Sequence, residues 1–264
     1  MTVIPTPFQT VRALAKGFLP RVIQPRGWVL AALAMLPILT ALTVTSIIKM
    51  QDGGSPGQLS KVALEVFHGV MVKFMLPIMA LVAAPAGIRE DLEQRTLPLF
   101  LVRPAPVWAM PFGKGVIWFG WGALWLVVAA LGLVMLGVEF SEFPRMASAL
   151  VLAFWAELAF MALLGLVFKR GTLWGALYLF IWENMVRIMP GNLQRLTFVH
   201  HIESITGTRG SDLSAREILA QTQISSPVWA SLLALLVIGI VFWGLSGWKL
   251  ERTPIGLAGA EQEG

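Results

Sequence analysis

Cysteine and charge are what this sequence most lacks: none of its 264 residues is Cys, and only 13% are Asp, Glu, Lys or Arg. Without cysteine the chain has no disulfide, no thiolate nucleophile and no Cys-ligated zinc. With 56% hydrophobic residues and a mean hydropathy of +0.74, it has too few polar residues to cover a soluble protein of this length. The composition therefore predicts an integral membrane protein.

Sequence motifs for catalysis and nucleotide binding are also missing. The nearest approach to a phosphate-binding loop, Gly113-Lys114-Gly115, lacks the upstream glycine and the following hydroxyl. His200, His201 and Glu203 lack the spacing that puts two imidazoles on one helix face. A solvated or headgroup-facing loop is the preferred interpretation of that segment. The chain is accordingly predicted to have no catalytic residue, no metal site and no cofactor of its own.

The net charge of +5 and the pI of about 10.0 indicate a basic protein. In a soluble protein this balance would suggest a nucleic-acid partner. In a membrane protein, Lys and Arg mostly set the orientation of the spans and contact anionic headgroups. We therefore expect membrane lipids as partners and no nucleic acid.

Long apolar runs predict about six transmembrane helices of about 20 residues each. The runs cover residues 28–48, 64–88, 107–138, 146–168, 172–189 and 228–248. They use up the chain, so residues 1–264 are predicted to form a single membrane domain. Apolar positions at helical spacing in the more polar residues 5–23 predict an amphipathic interfacial helix before the first span. The predicted fold class is an all-α integral membrane protein.

The distribution of Lys and Arg predicts that both termini are cytoplasmic. In that orientation the short outer loops hold only Lys49, Lys61 and Arg145. The polar stretch after the fifth span adds Arg187, Arg195, Arg209 and Arg216 on the outer side, which weakens the contrast without reversing it. The inner side then holds Arg12, Lys16, Arg21, Arg26, Arg89, Arg95, Arg103, Lys114, Lys169, Arg170, Lys249 and Arg252.

Charged residues inside predicted spans are candidates for function, because each costs about 2.5–3.5 kcal/mol at a helix centre. The candidates chosen among them are Lys73, Glu157, Glu183 and Arg187. Glu157 is the clearest, since it falls near the middle of the fourth span. Glu183 and Arg187 are four residues apart, a spacing that allows mutual neutralisation on one helix face, and Lys73 is long enough to snorkel. Structural pairing and a role in gating or substrate passage both stay open.

The densest mixed-charge segment, residues 88–114, lies between the second and third predicted spans. Hydrocarbon cannot accept these charges together, so the segment must lie in water or among headgroups. It contains, in order, Arg89-Glu90-Asp91, Thr96-Leu97, Pro104 and Gly113-Lys114. This order of parts resembles the cytoplasmic loop of ABC-2-type transporter permeases, although Arg95 stands where that family usually has Gly and Pro98 where it usually has Glu.

This resemblance implies the transmembrane permease subunit of an ATP-binding-cassette exporter with a type V-like fold, in the bacterial cytoplasmic (inner) membrane. In that family the loop contains a coupling helix that docks on a separate ATPase subunit. Residues 190–227 correspond to the family's short extracytoplasmic helices between the fifth and sixth spans, which line an outer gate. The expected docking residues are Arg89, Glu90, Asp91, Glu93, Arg95 and Thr96.

The resemblance also implies partners, because six spans make half a transporter. They are a second permease copy or a similar permease, and two copies of the ATPase subunit, which carry ATP and Mg. Two other classes stay open. One is a membrane-embedded lipid-modifying enzyme with Glu157, or His200, His201 and Glu203, as catalytic groups. The other is a secondary transporter with Glu157 and Lys73 as a proton relay, against which the missing internal repeat counts. The predicted fold does not by itself determine which substrate would be transported.

Overall fold

The computed structural model describes residues 22–84, 109–168, 170–188, 192–207 and 226–252, together with positions 12, 16, 17, 19 and 20. In this part of the chain the regular structure is entirely helical, with no strand. The long helices are α1 (Pro25–Asp52), α2 (Pro56–Ala83), α3 (Ala109–Met135), α4 (Phe143–Val167) and α7 (Val228–Arg252). Among the described residues, five helices are long and apolar enough to cross a membrane. This agrees with the predicted all-α membrane class.

The predicted fifth span is a composite helix, α5, that differs from the other spans. It consists of Gly171–Leu177, a π-helical segment Tyr178–Trp182 and a final segment Glu183–Ile188. Only Gly171–Trp182 forms a continuous apolar helix, and it is shorter than the other spans. The charged residues after Trp182 end the apolar run. The described residues therefore contain five long spans and one short apolar helix, where six spans were predicted.

A tight turn joins α1 to α2 at the position that the sequence predicts. α1 ends at Gly53, whose φ of 63° lies in the left-handed region that glycine adopts without strain. Ser55 then begins α2 with a capping box, in which the Gln58 side chain accepts from the Ser55 N–H at 3.1 Å. Pro56 at the first helical position fits, because the N–H that it lacks would have no acceptor there. These features make α1 and α2 an antiparallel pair.

α4 lies at the centre of the bundle, packed against α2, α3 and α7. Close approach is possible because glycines stand opposite large aromatic rings. Gly122 of α3 faces the ring of Phe154, and Gly239 of α7 faces the indole of Trp155, each so closely that a Cβ would collide with the ring. Helices in membranes associate through such close packing, since lipid is as apolar as the helices themselves.

A short helix, α6 (Phe198–Thr206), enters this bundle between α5 and α7. It follows a 3-10 turn at Asn192–Leu196. All nine of its residues are buried, and it packs against α4 and α7. Short helices are thus present in the described part of the predicted 190–227 segment, and they lie inside the helix bundle.

Two predicted elements fall largely or wholly outside the described residues. Most of the predicted interfacial helix, residues 5–23, lies outside them. The predicted mixed-charge loop lies outside them from residue 88 to residue 108. The remainder of that predicted loop, residues 109–114, is the first part of α3. Lys114, which the sequence places at the loop's end, is 3% exposed, because the helix carries it into contact with the bundle.

Candidate functional site

Glu157 lies near the middle of α4, among residues that are almost all apolar. Glu157 is only 1% exposed to solvent. Its Oε2 atom has no hydrogen-bond partner among the described residues, and the nearby carboxylate of Glu183 adds like-charge repulsion. Burial of a carboxylate without a donor is costly. No hydrogen bond from the described residues therefore offsets the burial of this oxygen.

α2 changes its hydrogen-bonding pattern at Met71–Met75, a π-helical segment with Lys73 at its centre. Pro77 follows this segment and has no backbone N–H, so the usual α-helical bond to the carbonyl of Lys73 cannot form. The helix widens instead, and the N–H of Leu76 bonds the carbonyl of Met71, five residues back. Such single-turn π segments are frequent at functional sites.

Glu183 connects α5 to the beginning of α6. It is 3% exposed, and its carboxylate accepts hydrogen bonds from the backbone N–H groups of Phe198 (3.0 Å) and Val199 (3.2 Å). These N–H groups belong to the first turn of α6, where donors have no intrahelical acceptor and the helix dipole is positive. The Tyr178 hydroxyl lies close to the same carboxylate. Glu183 therefore fixes the N-terminus of α6 to α5.

A small cavity inside the bundle brings these groups together. Side chains from α2, α4, α5 and α6 line it, among them Lys73, Pro77, Glu157, Glu183 and Val199. The π segments of α2 and α5 both contribute, through Val72 and Lys73 on one side and Leu179 on the other. The site is a polar cavity enclosed by apolar helices, with two carboxylates and one ammonium in its lining.

All three histidines of the chain lie on α6 or against it. His68 of α2 is 3.3 Å from the hydroxyl of Thr206 at the end of α6. Nε2 of His200 is 3.0 Å from Oγ of Ser226, and Nε2 of His201 is 3.0 Å from the carbonyl oxygen of Arg195. These contacts hold α6 at both ends, so the helix is fixed by polar side chains as well as by packing.

This geometry corrects the prediction that His200, His201 and Glu203 belong to a solvated or headgroup-facing loop. The three residues are 6%, 7% and 7% exposed, respectively, on the buried helix α6. The Nε2 atoms of His200 and His201 have the hydrogen-bond partners given above, whereas Nδ1 of His201 is a buried atom with no hydrogen-bond partner among the described residues. Among the described residues, no group of three or more His, Cys, Asp or Glu side chains is arranged to hold a metal ion.

The structure brings together three of the four intramembrane candidates, Lys73, Glu157 and Glu183, in one cavity. The side chain of the fourth, Arg187, lies outside the described part of the molecule, so the suggested pair with Glu183 stays a prediction. The candidate docking residues Arg89, Glu90, Asp91, Glu93, Arg95 and Thr96 lie outside it too, and their role also stays a prediction.

Residues that reasoning from the sequence did not single out complete the site. Tyr178, the only tyrosine, contacts Glu183. Thr197 caps α6, since its Oγ1 accepts from the N–H of His200 at 3.2 Å and donates to the carbonyl of Gln194 at 2.7 Å. A threonine before an apolar helical segment is a recognisable N-cap signal. The partnership of Tyr178 with Glu183 has no comparable local signal.

A second small cavity lies beside Leu158 and Ala162 of α4. Lys114, Trp118 and Trp243 also line it. Lys114 is a buried cation at the start of α3, close to where the mixed-charge loop joins the bundle.

No protein-family model matches the sequence of this chain, and no curated protein matches it either.

Proposed function

We propose that this chain is the permease subunit of an ATP-binding-cassette exporter that moves its substrate by alternating access. In this proposal it has six spans with α5 as the fifth, both termini lie in the cytoplasm, and the membrane is the bacterial inner membrane. A coupling helix in residues 88–114 docks on a separate ATPase subunit. A second permease copy, or a similar permease, completes the path.

The observation that carries the proposal is the position of α6. A short helix, buried along its whole length, stands between the last two apolar helices and packs on the central helix α4. Such an element is what the resemblance to ABC-2-type permeases implies for the outer gate. Its attachments, Glu183 on α5 and His68 on α2, come from different helices, so a relative movement of these helices would act on α6 directly.

In this mechanism ATP binding closes two ATPase subunits, and the charged loop transmits their movement to α2 and α3. Because Glu183 and Thr197 hold the start of α6, α5 and α6 move together. The chain contributes no catalytic residue, and ATP and Mg act on the partner. The substrate passes between two permease subunits.

The decisive experiment is a pull-down of the ATPase subunit with the tagged permease. Reversal of two charges, Glu90→Lys with Asp91→Lys, should release the ATPase or abolish substrate-stimulated ATP turnover. A charge reversed at a buried interface costs about 2–5 kcal/mol, and one at the rim costs much less. Membrane insertion should be unchanged.

A matched control is Glu139→Lys with Glu142→Lys, which reverses two acidic residues in the connection before α4. That variant should retain the ATPase. Equal recovery and equal ATP turnover for the loop variant and the wild type would contradict the docking role.

The absence of cysteine allows a direct test of orientation. A cysteine at Met50, which is 86% exposed, should react with an impermeant thiol reagent in intact cells. A cysteine at Arg252 should react only after the membrane is opened. The reverse pattern would overturn the proposed topology. Ser204 lies on α6, in the segment that the proposed topology places on the outer side. It is unsuitable as a labelling position because it is only 8% exposed.

The two other classes predict different results. A lipid-modifying enzyme would act without an ATPase partner and would lose turnover when a catalytic histidine is replaced. A secondary transporter would move substrate in vesicles that contain this chain alone. Dependence of transport on a co-expressed ATPase and on ATP would exclude both.

A further inference from the structure

Two groups beside the cavity between α2, α4, α5 and α6 lack an ordinary hydrogen-bond partner. The first is the side chain of Glu157, whose Oε2 atom is buried without a partner among the described residues. The second is the backbone carbonyl of Val72 in α2. Glu157 and Val72 both line the cavity, and each is only 1% exposed. Water outside the bundle therefore does not satisfy either group.

The π segment of α2 explains why the carbonyl of Val72 needs a donor. In a regular α-helix this carbonyl would accept from the N–H of Leu76, but that N–H bonds the carbonyl of Met71 instead. The donor five residues on would belong to Pro77, which has no N–H. The segment thus deprives Val72 of both regular helical donors. A buried carbonyl in this position requires another partner.

The charged and titratable groups that face Glu157 come from α2 and α5. Lys73 of α2 contributes an ammonium to the lining, and Glu183 of α5 contributes a second acidic group. Glu183 accepts from two backbone N–H groups at the positive end of α6, a place that suits a negative charge. Tyr178 of α5 lies close to both acidic side chains. α6 contributes Val199 to the described lining, and α3 and α7 contribute no residue to it. With Lys73 and Glu183 ionised, this lining is electrically neutral when Glu157 carries a proton.

A neutral carboxyl group fits this place better than a carboxylate. Burial of an ionised carboxylate in an apolar environment costs far more than burial of a neutral polar group, and such a group takes up a proton instead. A protonated carboxyl has an O–H donor, whereas the carbonyl of Val72 is an acceptor without its helical donors. The free volume of the cavity is about that of one water molecule. Glu157 and Val72 are therefore complementary once Glu157 is protonated.

We propose that Glu157 is a proton-binding site whose O–H donates to the carbonyl of Val72, directly or through the single water that the cavity admits. The proton links α4 to α2 beside the start of α6, where Val199 and Glu183 share the cavity wall. When the bundle opens and water reaches Glu157, the proton is released and the link is lost. A rise in pH favours this opening, because the closed bundle holds one proton more than the open one. The site depends only on the fold of this chain and is independent of the proposed ATPase partner.

The first test is infrared spectroscopy of the purified full-length chain in detergent at neutral pH. A protonated carboxyl group gives a C=O stretching band that is separate from the bands of carboxylates and amides. Glu157→Gln should fold, because the amide keeps the shape and offers an N–H to Val72, and it should lack this band. Glu139→Gln changes an exposed acidic residue in the connection before α4 and should retain the band.

The second test is the pH dependence of SDS-induced unfolding. The range from about pH 5 to about pH 9 lies above the pH at which a water-exposed glutamate ionises. Within it, the unfolding constant of the wild type should rise relative to that of Glu157→Gln by up to about tenfold per pH unit, since at most one extra proton is released. The comparison cancels the contributions of Lys73, Glu183, Tyr178 and the histidines, which both proteins contain.

Pro77→Ala tests the acceptor. The substitution supplies an N–H at the position from which a π-helical bond reaches the carbonyl of Val72. Glu157→Leu removes the proposed donor, so it leaves this carbonyl unpaired in the wild-type chain but not in the Pro77→Ala chain. Its effect on the unfolding constant should therefore be about tenfold less unfavourable in the Pro77→Ala chain.

Three results would overturn the proposal. They are an infrared band that is the same in Glu157→Gln and in the wild type, parallel pH profiles of these two proteins, and an equal effect of Glu157→Leu with and without Pro77. None of them bears on ATPase recruitment, so the two proposals fail separately.

Discussion

Two regions of the bundle are held together by different physical means. The first, which we term the ring interface, consists of the contacts of Gly122 with Phe154 and of Gly239 with Trp155. The second, the α6 junction, consists of Glu183, Thr197 and the partners of the three histidines. In the ring interface, the buried indole nitrogen of Trp155 has no hydrogen-bond partner among the described residues. In the α6 junction, named donors and acceptors meet at 2.6–3.3 Å.

The first region depends on the shape of its side chains, and the second depends on the direction of its hydrogen bonds. The ring interface depends on van der Waals contact between glycines and aromatic rings, so its stability responds to volume. The α6 junction depends on hydrogen bonds, so its stability responds to the identity and direction of single polar atoms. A large residue should therefore damage the first region, and a nearly isosteric polar change should damage the second. The following four predictions test this contrast, from the largest expected effect to the smallest.

The largest effect is expected for Gly122→Leu in the ring interface. Even a Cβ at this position would collide with the ring of Phe154, which is 0% exposed and has no room to retreat. The free energy of unfolding should fall by about 3 kcal/mol, at the upper end for overpacked cores. SDS-induced unfolding of the purified protein measures it. Gly120→Leu, two residues away with open space around it, should change stability by less than about 0.5 kcal/mol. Equal effects would refute the shape argument.

Glu183→Gln is expected to cost about 2 kcal/mol in the α6 junction, although it hardly changes volume. The carboxylate accepts from the N–H groups of both Phe198 and Val199, whereas an amide offers one oxygen and turns its NH2 group towards the other donor. A buried donor left unsatisfied costs about 1–3 kcal/mol. Hydrogen exchange of the α6 amides should show the loss locally. Protection of α6 equal to the wild type would contradict the assigned capping role.

Thr197→Ala should lower the free energy of unfolding by about 1 kcal/mol, because α6 loses the acceptor for the N–H of His200. Thr197→Ser keeps that oxygen and should retain most of the stability. The same unfolding assay compares the two. If serine and alanine were equally destabilising, the methyl group and not the cap would matter, and the junction would resemble the ring interface.

The smallest effect, with the opposite sign, is expected for Ser231→Ala in α7. Ser231 is fully buried and its hydroxyl has no partner among the described residues, so its removal should leave stability unchanged or raise it by up to about 1 kcal/mol. Ser246 is also buried but donates to the carbonyl of Phe242 at 2.8 Å. Ser246→Ala should not be stabilising. A loss of stability in Ser231→Ala would show that its hydroxyl has a partner.

The prediction from the sequence succeeded where the signal is local. Apolar runs indicate the long helices, and the Gly53 to Pro56 turn signal marks the end of α1. Glu157 stands out because a carboxylate is rare within such a run. The prediction that His200, His201 and Glu203 lie in a solvated loop was wrong, because it relied on the residues alone and not on what surrounds them. Polar side chains suggest solvent when they are considered singly, and only the surrounding helices show that these three are buried inside the bundle.

The spacing of the site residues along the sequence did not predict that they come together in space. His68 and Thr206 are 138 residues apart in the chain, and Lys73, Glu157 and Glu183 come from three different helices. The residues of α5 were predicted as one more span. Within that helix the structure has a π segment, and Glu183 near its end caps the neighbouring helix α6.

The sequence by itself determined that this chain is an all-α membrane protein, where its long apolar helices run, and that Glu157 is an exceptional residue within them. These properties follow from composition and from the length of apolar runs, which need no knowledge of neighbours. Only the tertiary structure decided that α6 is buried, that Glu183 caps it, and that Lys73, Glu157 and Glu183 share one cavity. These properties depend on which helix faces meet, and that choice is made by side chains far apart in the chain.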